Sequence, residues 1–137
     1  MVDDDLGCRL VAKVTVESLG HECVAAEDGD AAWATYQTYR PDVVVSDREM
    51  PGMDGLALCR AVRAQPDGAS TYVILVTGYT DPREVLDGMR AGADAYVSKP
   101  LNPLDLQARL LAAERVTALH AELAEARRHL ARCPSAG

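Results

Sequence analysis

Asp3, Asp4 and Asp5 follow Met1-Val2, Asp47 closes Val43-Val44-Val45-Ser46, Thr77 closes Val73-Ile74-Leu75-Val76, and Lys99 follows Ala95-Tyr96-Val97-Ser98. Each polar group stands where a short apolar, largely β-branched run ends, so the strand ends offer carboxylates, a hydroxyl and an ammonium. In a parallel sheet the carboxyl ends of the strands share one edge, where loops gather and ligands bind. Acids gathered there repel one another until a proton or cation offsets them, and carboxylate oxygens are the donors a hard divalent cation takes. Taken singly, each residue has a plainer reading: Asp5 as the cap of a helix starting at Leu6, Thr77 as a strand-end hydroxyl, Lys99 as a surface charge and Tyr96 as a packing residue. Joint placement favours a site.

The elements that must position these groups alternate along the chain, which is the pattern of an α/β domain. Strands are expected over 1–4, 22–26, 42–46, 71–77 and 93–98. The third and fourth run apolar without a polar face, so both their faces must be covered. Helices are expected from about Leu6 to Gly20, from Asp28 to Pro41, from Leu56 to Ala64 and from Pro82 to Gly92. The run from Asp47 to Gly55, with one Pro, two Gly and two Met, reads as a loop. A last helix opens near Pro103 and meets no breaker until Pro134, about 30 residues against a usual 11 to 12.

Composition narrows the function. The chain has 137 residues and a net charge of −7; residues 1–103 carry −8 and residues 104–137 carry +1. The acidity excludes a surface built to release counterions from nucleic acid. The longest unbroken apolar run, Tyr72 to Val76, is far short of the roughly 18 residues of a membrane span. Met-Val-Asp-Asp-Asp has no basic segment before an apolar one and does not read as a secretory signal. Cys8, Cys23, Cys59 and Cys133 form no C-x-x-C pair, which points to buried, reduced thiols in the cytoplasm. Trp33 and Tyr36, one turn apart, read as helix-on-sheet packing, Met50 and Met53 as filler, and His21, His120 and His129 join no constellation.

Val2-Asp-Asp-Asp, Val43-Val-Val-Ser-Asp47-Arg-Glu-Met-Pro-Gly-Met-Asp-Gly, Val73-Ile-Leu-Val-Thr77 and Ala91-Gly-Ala-Asp-Ala-Tyr96-Val-Ser-Lys99-Pro100 together resemble the receiver domain of two-component response regulators, over about residues 1–115. The resemblance implies a flavodoxin-like doubly wound fold, a five-stranded parallel sheet in the order 2-1-3-4-5 with five helices. It implies Asp47 as phosphoacceptor, Asp3 and Asp4 as the acidic pair that holds Mg²⁺, and Glu49 as the donor of a backbone carbonyl to the metal. Thr77 becomes a switch hydroxyl, Lys99 the phosphate-contacting lysine and Tyr96 an aromatic switch, with a cis Lys99–Pro100 bond. The implied partner is a sensor histidine kinase or phosphotransfer protein, and the implied chemistry is limited to the module's own phosphorylation and dephosphorylation. The output surface would be formed by the fourth helix, fifth strand and fifth helix.

Two features depart from the family pattern: only Met1 and Val2 precede Asp3, so the first strand is short, and Gly78 follows the switch threonine. Three rivals remain to be weighed. A degenerate receiver would serve only as an interaction module. A haloacid-dehalogenase-type phosphatase would need a second Asp where Asp47-Arg48-Glu49 has Glu. A flavin carrier would need phosphate donors where the chain has Asp-Asp-Asp-Leu-Gly. Beyond residue 115, Ala112, Val116, Leu119, Leu123, Ala126 and Leu130 follow a/d spacing. Residues 116–137 therefore read as a coiled-coil linker that forms a parallel homodimer and leads to an output domain missing from this chain. The competing reading is a solvated single helix.

Overall fold

The structure is a computed structural model and describes residues 1–3, 5–50, 52–78 and 81–132. Asp4 and Cys133, singled out in the sequence, lie outside the described residues. Helices α1 (Leu6–Ser18), α2 (Gly29–Tyr39), α3 (Gly55–Arg63), α4 (Pro82–Arg90) and α5 (Pro103–Arg132) alternate with strands β1 (Val43–Asp47), β2 (Tyr72–Thr77) and β3 (Ala95–Ser98). The five helices fall where the periodicity puts them because their ends are encoded locally. Asp5, Asp28, Asp54 and Asp81 each accept a hydrogen bond from a first-turn backbone N–H. Asn102 does the same for Leu104 at the start of α5. Gly20 and Gly92, at φ 86° and 108°, turn the chain after α1 and α4.

The sheet is parallel, in the order β1-β2-β3. The expected five strands become three strands and two bridges: Val2 pairs with Ala26 on one side and with Ser46 on the other, both parallel. The lateral order 26, 2, 46 is that of a 2-1-3-4-5 sheet, so the flavodoxin-like arrangement stands, with its first two strands contracted. Hydrogen bonds to both neighbours hold residues 1–3: Val2 N to Val45 O, Asp47 N to Val2 O, Ala26 N to Met1 O, Asp3 N to Ala26 O and Met1 N to Val24 O. Residues 22–26 have too little partner to form a ladder. A cavity of about 470 Å³ lies beside them, bordered by Met1, Val24, Val43 and Tyr36.

Two apolar layers cover the sheet. Val73 and Leu75 of β2 pack with Leu58 and Val62 of α3 and Tyr36 of α2, while Ile74, Val76, Val97, Leu106, Leu110 and Ala113 pack on the α1–α5 side. All six residues of β2 are buried, as its unbroken apolar run requires. Trp33 and Tyr36 stack in parallel with ring centroids 5.7 Å apart and pack on the first layer, the structural role their spacing suggested.

The opposite edge of the sheet from the strand carboxyl ends is closed by Arg63. Its guanidinium donates to the carbonyls of Gly68, Thr71 and Gly92 and to the Asp94 carboxylate, which also accepts from Val73 N. One side chain thus fastens α3 to the starts of β2 and β3. Arg63→Ala strips these carbonyls and leaves Asp94 without its cation. We expect a loss of about 2–4 kcal/mol in urea unfolding, with an unchanged m-value; a change below about 0.5 kcal/mol would remove Arg63 from this role.

Candidate functional site

Asp3, Asp47, Thr77 and Lys99 meet at the carboxyl edge of the sheet. Asp47 is the last residue of β1, Thr77 the last of β2, and Lys99 directly follows β3. The register pairs Asp47 with Val76 and Thr77 with Ser98, so the end of β2 lies one residue beyond that of β1, Lys99 one residue beyond the Thr77–Ser98 pair, and Lys99 N donates to Thr77 O. Asp3 enters from the short first segment, one residue beyond the Val2 bridges. The Lys99–Pro100 peptide is cis, as the resemblance implied.

Burial and charge are in tension here. Asp3 and Thr77 are fully buried and Asp47 is 2% exposed. Lys99 Nζ lies 2.9 Å from Asp47 Oδ2 and 3.5 Å from Asp3 Oδ2, so a single ammonium serves two buried carboxylates. Asp3 Oδ1 accepts from Asp5 N, whereas Asp3 Oδ2 is buried without a hydrogen-bond partner. The ammonium contact is an ion pair at a distance too long to satisfy that oxygen. Burial pushes the Asp3 carboxyl above its ordinary value and the charge of Asp47 adds to this, while the Asp5 amide and Lys99 oppose it. For Lys99, burial acts downward but is outweighed by the Asp47 hydrogen bond and the charges of Asp3 and Asp47, so the ammonium is held above the usual lysine value.

This donor set fits a hard divalent cation. The buried Asp3 Oδ2 accepts no hydrogen bond among the described residues, and the ammonium that faces it at 3.5 Å is shared with Asp47. Asp4 lies outside the described residues. Glu49 is exposed, and its carboxylate accepts a long, 3.5 Å hydrogen bond from Thr77 Oγ1. Glu49 N also reaches Asp47 Oδ1 at 3.3 Å, which fixes the turn after β1.

Tyr96 lies half-buried under α4. A Cβ on Gly88 would fall 2.3 Å from Tyr96 Cε2, so α4 carries a glycine where the ring passes. The Tyr96 hydroxyl accepts from Arg48 Nη1, which also donates to the Glu84 carbonyl in the first turn of α4. Sequence reading passed over Arg48 and Gly88. An arginine beside an acidic loop and a glycine inside a helix carry no signal until the fold shows what each one faces.

An Asp whose folded-state pKa is raised adds stability at low pH and loses it as the pH rises through that value. The raised value means that Asp3 burdens the cation-free fold once the pH is above the ordinary carboxylate range. Two outcomes follow in thermal melts: Asp3→Asn melts higher than the parent without Mg²⁺, and the rise in Tm that Mg²⁺ gives the parent disappears in the variant. In the parent that rise shrinks as the buffer is taken from about pH 8 to about pH 5, because protons compete for the same oxygen. An Mg²⁺-induced rise of equal size in Asp3→Asn would exclude Asp3 as a ligand.

A family profile described as "Response regulator receiver domain" matches residues 1–111. Among curated proteins, the chain is 34% identical over 110 residues to the probable transcriptional regulator ycf27 of Cyanophora paradoxa, covering 80% of this chain and 45% of that protein. It is likewise 34% identical over 112 residues to the DNA-binding response regulator MtrA of Mycolicibacterium smegmatis, covering 82% and 48%. The chain therefore spans about half the length of these relatives. Among solved structures, the chemotaxis response regulator CheY4 of Vibrio cholerae superposes with a TM-score of 0.77 at 35% identity, covering 82% of this chain and 93% of that one. The BeF3-activated DrrB receiver domain superposes with a TM-score of 0.73 at 31% identity, covering 83% and 93%.

Proposed function

Because this chain belongs to the response regulator receiver domain family, and is a receiver domain of the two-component type, we propose that it takes a phosphoryl group onto Asp47 from a sensor histidine kinase or phosphotransfer protein. The observation that carries this reading is the convergence of Asp3, Asp47, Thr77 and Lys99 on one edge, with a single ammonium for two buried carboxylates. A degenerate interaction module would have no use for so strained a set of charges.

An Asp47 carboxylate oxygen forms the new P–O bond while the P–N bond to the donor imidazole breaks, and the imidazole leaves. The transition state is loose and spreads charge over the equatorial oxygens, so the chain's task is positioning and charge stabilisation. Lys99 has three N–H donors and can follow a phosphoryl oxygen outward from Asp47 while staying near Asp3. Thr77, at the end of the neighbouring strand, supplies a hydroxyl to a second oxygen. Mg²⁺, held by Asp3, Asp4, Asp47 and the Glu49 carbonyl, would neutralise charge between the nucleophile and the phosphoryl oxygens. Self-phosphorylation and dephosphorylation are the only reactions assigned to the domain. Such a module works where its kinase and Mg²⁺ are, in the cytoplasm. None of the helices among the described residues is long and apolar enough to cross a membrane. Thr77 and Tyr96 form the switch, and α4, β3 and the start of α5 form the surface that reports it.

Residues 1–115 serve as the receiver and 116–137 as a linker to an output domain outside this chain. α5 supports this division. Leu106, Leu110 and Ala113 are buried on the sheet, and Val116 is the last of its apolar residues packed there. Leu119, Leu123 and Leu130 are 64%, 48% and 72% exposed. In an a/d frame with Val116, Leu123 and Leu130 at a, a parallel pair places Glu122 opposite Arg127 of the second copy, twice by symmetry. A second copy of this helix is the partner that covers the exposed leucines.

Incubation with acetyl phosphate and Mg²⁺ is expected to add one phosphoryl group to the parent and none to Asp47→Asn, read by intact-mass spectrometry. Lys99→Ala should slow the reaction on the order of 10²-fold. Equal labelling of parent and Asp47→Asn would sink the assignment. For the linker, sedimentation at about 100 µM should give a dimer that Leu123→Glu converts to monomer with little change in Tm; a monomeric parent, with or without beryllofluoride, overturns the dimer.

A further inference from the structure

Arg48 is joined by a peptide bond to Asp47, yet its side chain points away from the carboxylate cluster. Its backbone is fixed at both ends: Arg48 N donates to Val76 O in β2, and Arg48 O accepts from Gly55 N at the start of α3. From this anchored position the guanidinium reaches two other elements. Nη1 lies 2.5 Å from the Tyr96 hydroxyl of β3 and 2.5 Å from the Glu84 carbonyl in the first turn of α4. The Glu84 Oε2 atom is buried without a hydrogen-bond partner, and the Glu84 charge favours the Arg48 cation. Gly88, one turn further along α4, leaves room for the Tyr96 ring. A cation, a phenol and a helix start on three separate elements are thus joined through one residue.

We propose that Arg48 is a latch: it holds Tyr96 beneath α4 and couples both to the backbone of the phosphoacceptor, so that a change at Asp47 reaches the α4–β3 face through the guanidinium. The coupling to phosphorylation rests on the phosphoacceptor reading above, whereas the latch itself belongs to the resting structure. The chemistry suits arginine. A planar guanidinium directs several N–H donors at once, so it can satisfy a phenol and a carbonyl together, and it stays charged at any working pH. A lysine in its place would present a point charge on a floppier stem. The connection is also short. Three bonds separate the Asp47 and Arg48 α-carbons, so displacement of the β1 end moves the root of the side chain directly. Because coupling is reciprocal, a residue that transmits the state of Asp47 to Tyr96 must also make the occupancy of the Tyr96 site felt at Asp47. Arg48 is accordingly a positioning residue; among the described residues its side-chain hydrogen bonds go to Tyr96 and the Glu84 carbonyl, not to Asp3, Asp47 or Lys99.

The test uses the full chain labelled with 3-fluorotyrosine, with the Tyr96 resonance assigned by its loss in Tyr96→Phe. Without a phosphoryl mimic, Arg48→Met, which keeps the apolar stem and removes the donors, should move the Tyr96 ¹⁹F resonance toward that of unfolded protein, and Arg48→Lys should move it part of the way. With Mg²⁺ and beryllofluoride, the parent's Tyr96 resonance should shift, the shift should be largely lost in Arg48→Met, and the affinity for beryllofluoride should change by roughly five- to tenfold. An unmoved resonance in Arg48→Met without the mimic overturns the latch. A moved resonance that still responds to beryllofluoride as the parent does reduces Arg48 to a structural bond and overturns the coupling. A parent that does not bind beryllofluoride overturns the phosphoacceptor reading and the coupling with it, while the first arm still decides the latch. Should Arg48→Met not fold, Arg48→Gln, which retains an N–H donor on a shorter stem, must give the intermediate resonance expected of a weakened latch; a parental spectrum would again overturn it.

Discussion

Two buried carboxylates sharing one ammonium set the terms for this molecule. Asp3 and Asp47 are removed from water, and Lys99 alone among their described contacts brings a positive charge to both. Such an arrangement is not a device for stability: a buried charge whose partner is shared leaves desolvation incompletely offset, as the raised pKa of Asp3 registers. The surrounding fold sustains it because the hydrophobic layers on both faces of the sheet, with Ile74, Leu75, Val73 and Val76 at 0–1% exposure, supply enough burial to hold a strained edge.

The parallel sheet converts that local imbalance into a property of the whole domain. Strand ends that share one edge bring Asp47, Thr77 and Lys99 together, and the same register sets Tyr96 beside Leu75, two pairs back from Thr77 and Ser98. A displacement at the edge therefore has a short route to the α4 side, through backbone hydrogen bonds and through Arg48. The other edge of the sheet is held by the Arg63 network, which fastens α3 to the starts of β2 and β3 far from the carboxylates. One end of the sheet is thus tied by the Arg63 hydrogen bonds, and the other carries the buried charges.

Beyond the core, α5 continues for several turns after its last packed residues. Its exposed leucines do not stabilise the receiver, and a lone helix segment of that length is marginal in water. A second copy in register would bury those leucines and pair Glu122 with Arg127, which gives the a/d spacing a physical purpose. The chain matches only about half the length of these relatives, which therefore carry further sequence beyond the matched part.

Much of this was legible in the sequence because its causes are local. Aspartate caps before apolar periodic stretches fix four helix starts, continuous β-branched runs fix the buried strands, and polar residues at the ends of those runs mark Asp3, Asp47, Thr77 and Lys99 as one set. Sequence also flagged the short first strand, but not its outcome: whether two residues make a strand or a bridge depends on what the neighbours at 26 and 46 can pair with. The unpaired Asp3 oxygen, the Arg63 clasp, the glycine that admits Tyr96 and the reach of Arg48 to two elements were decided by tertiary structure alone. Each depends on a contact between residues remote in sequence, as Arg48 and Tyr96 are 48 positions apart. Propensity and periodicity act within a few residues of chain, whereas a shared ammonium or a bridging guanidinium exists only once packing has brought its partners to hydrogen-bond distance.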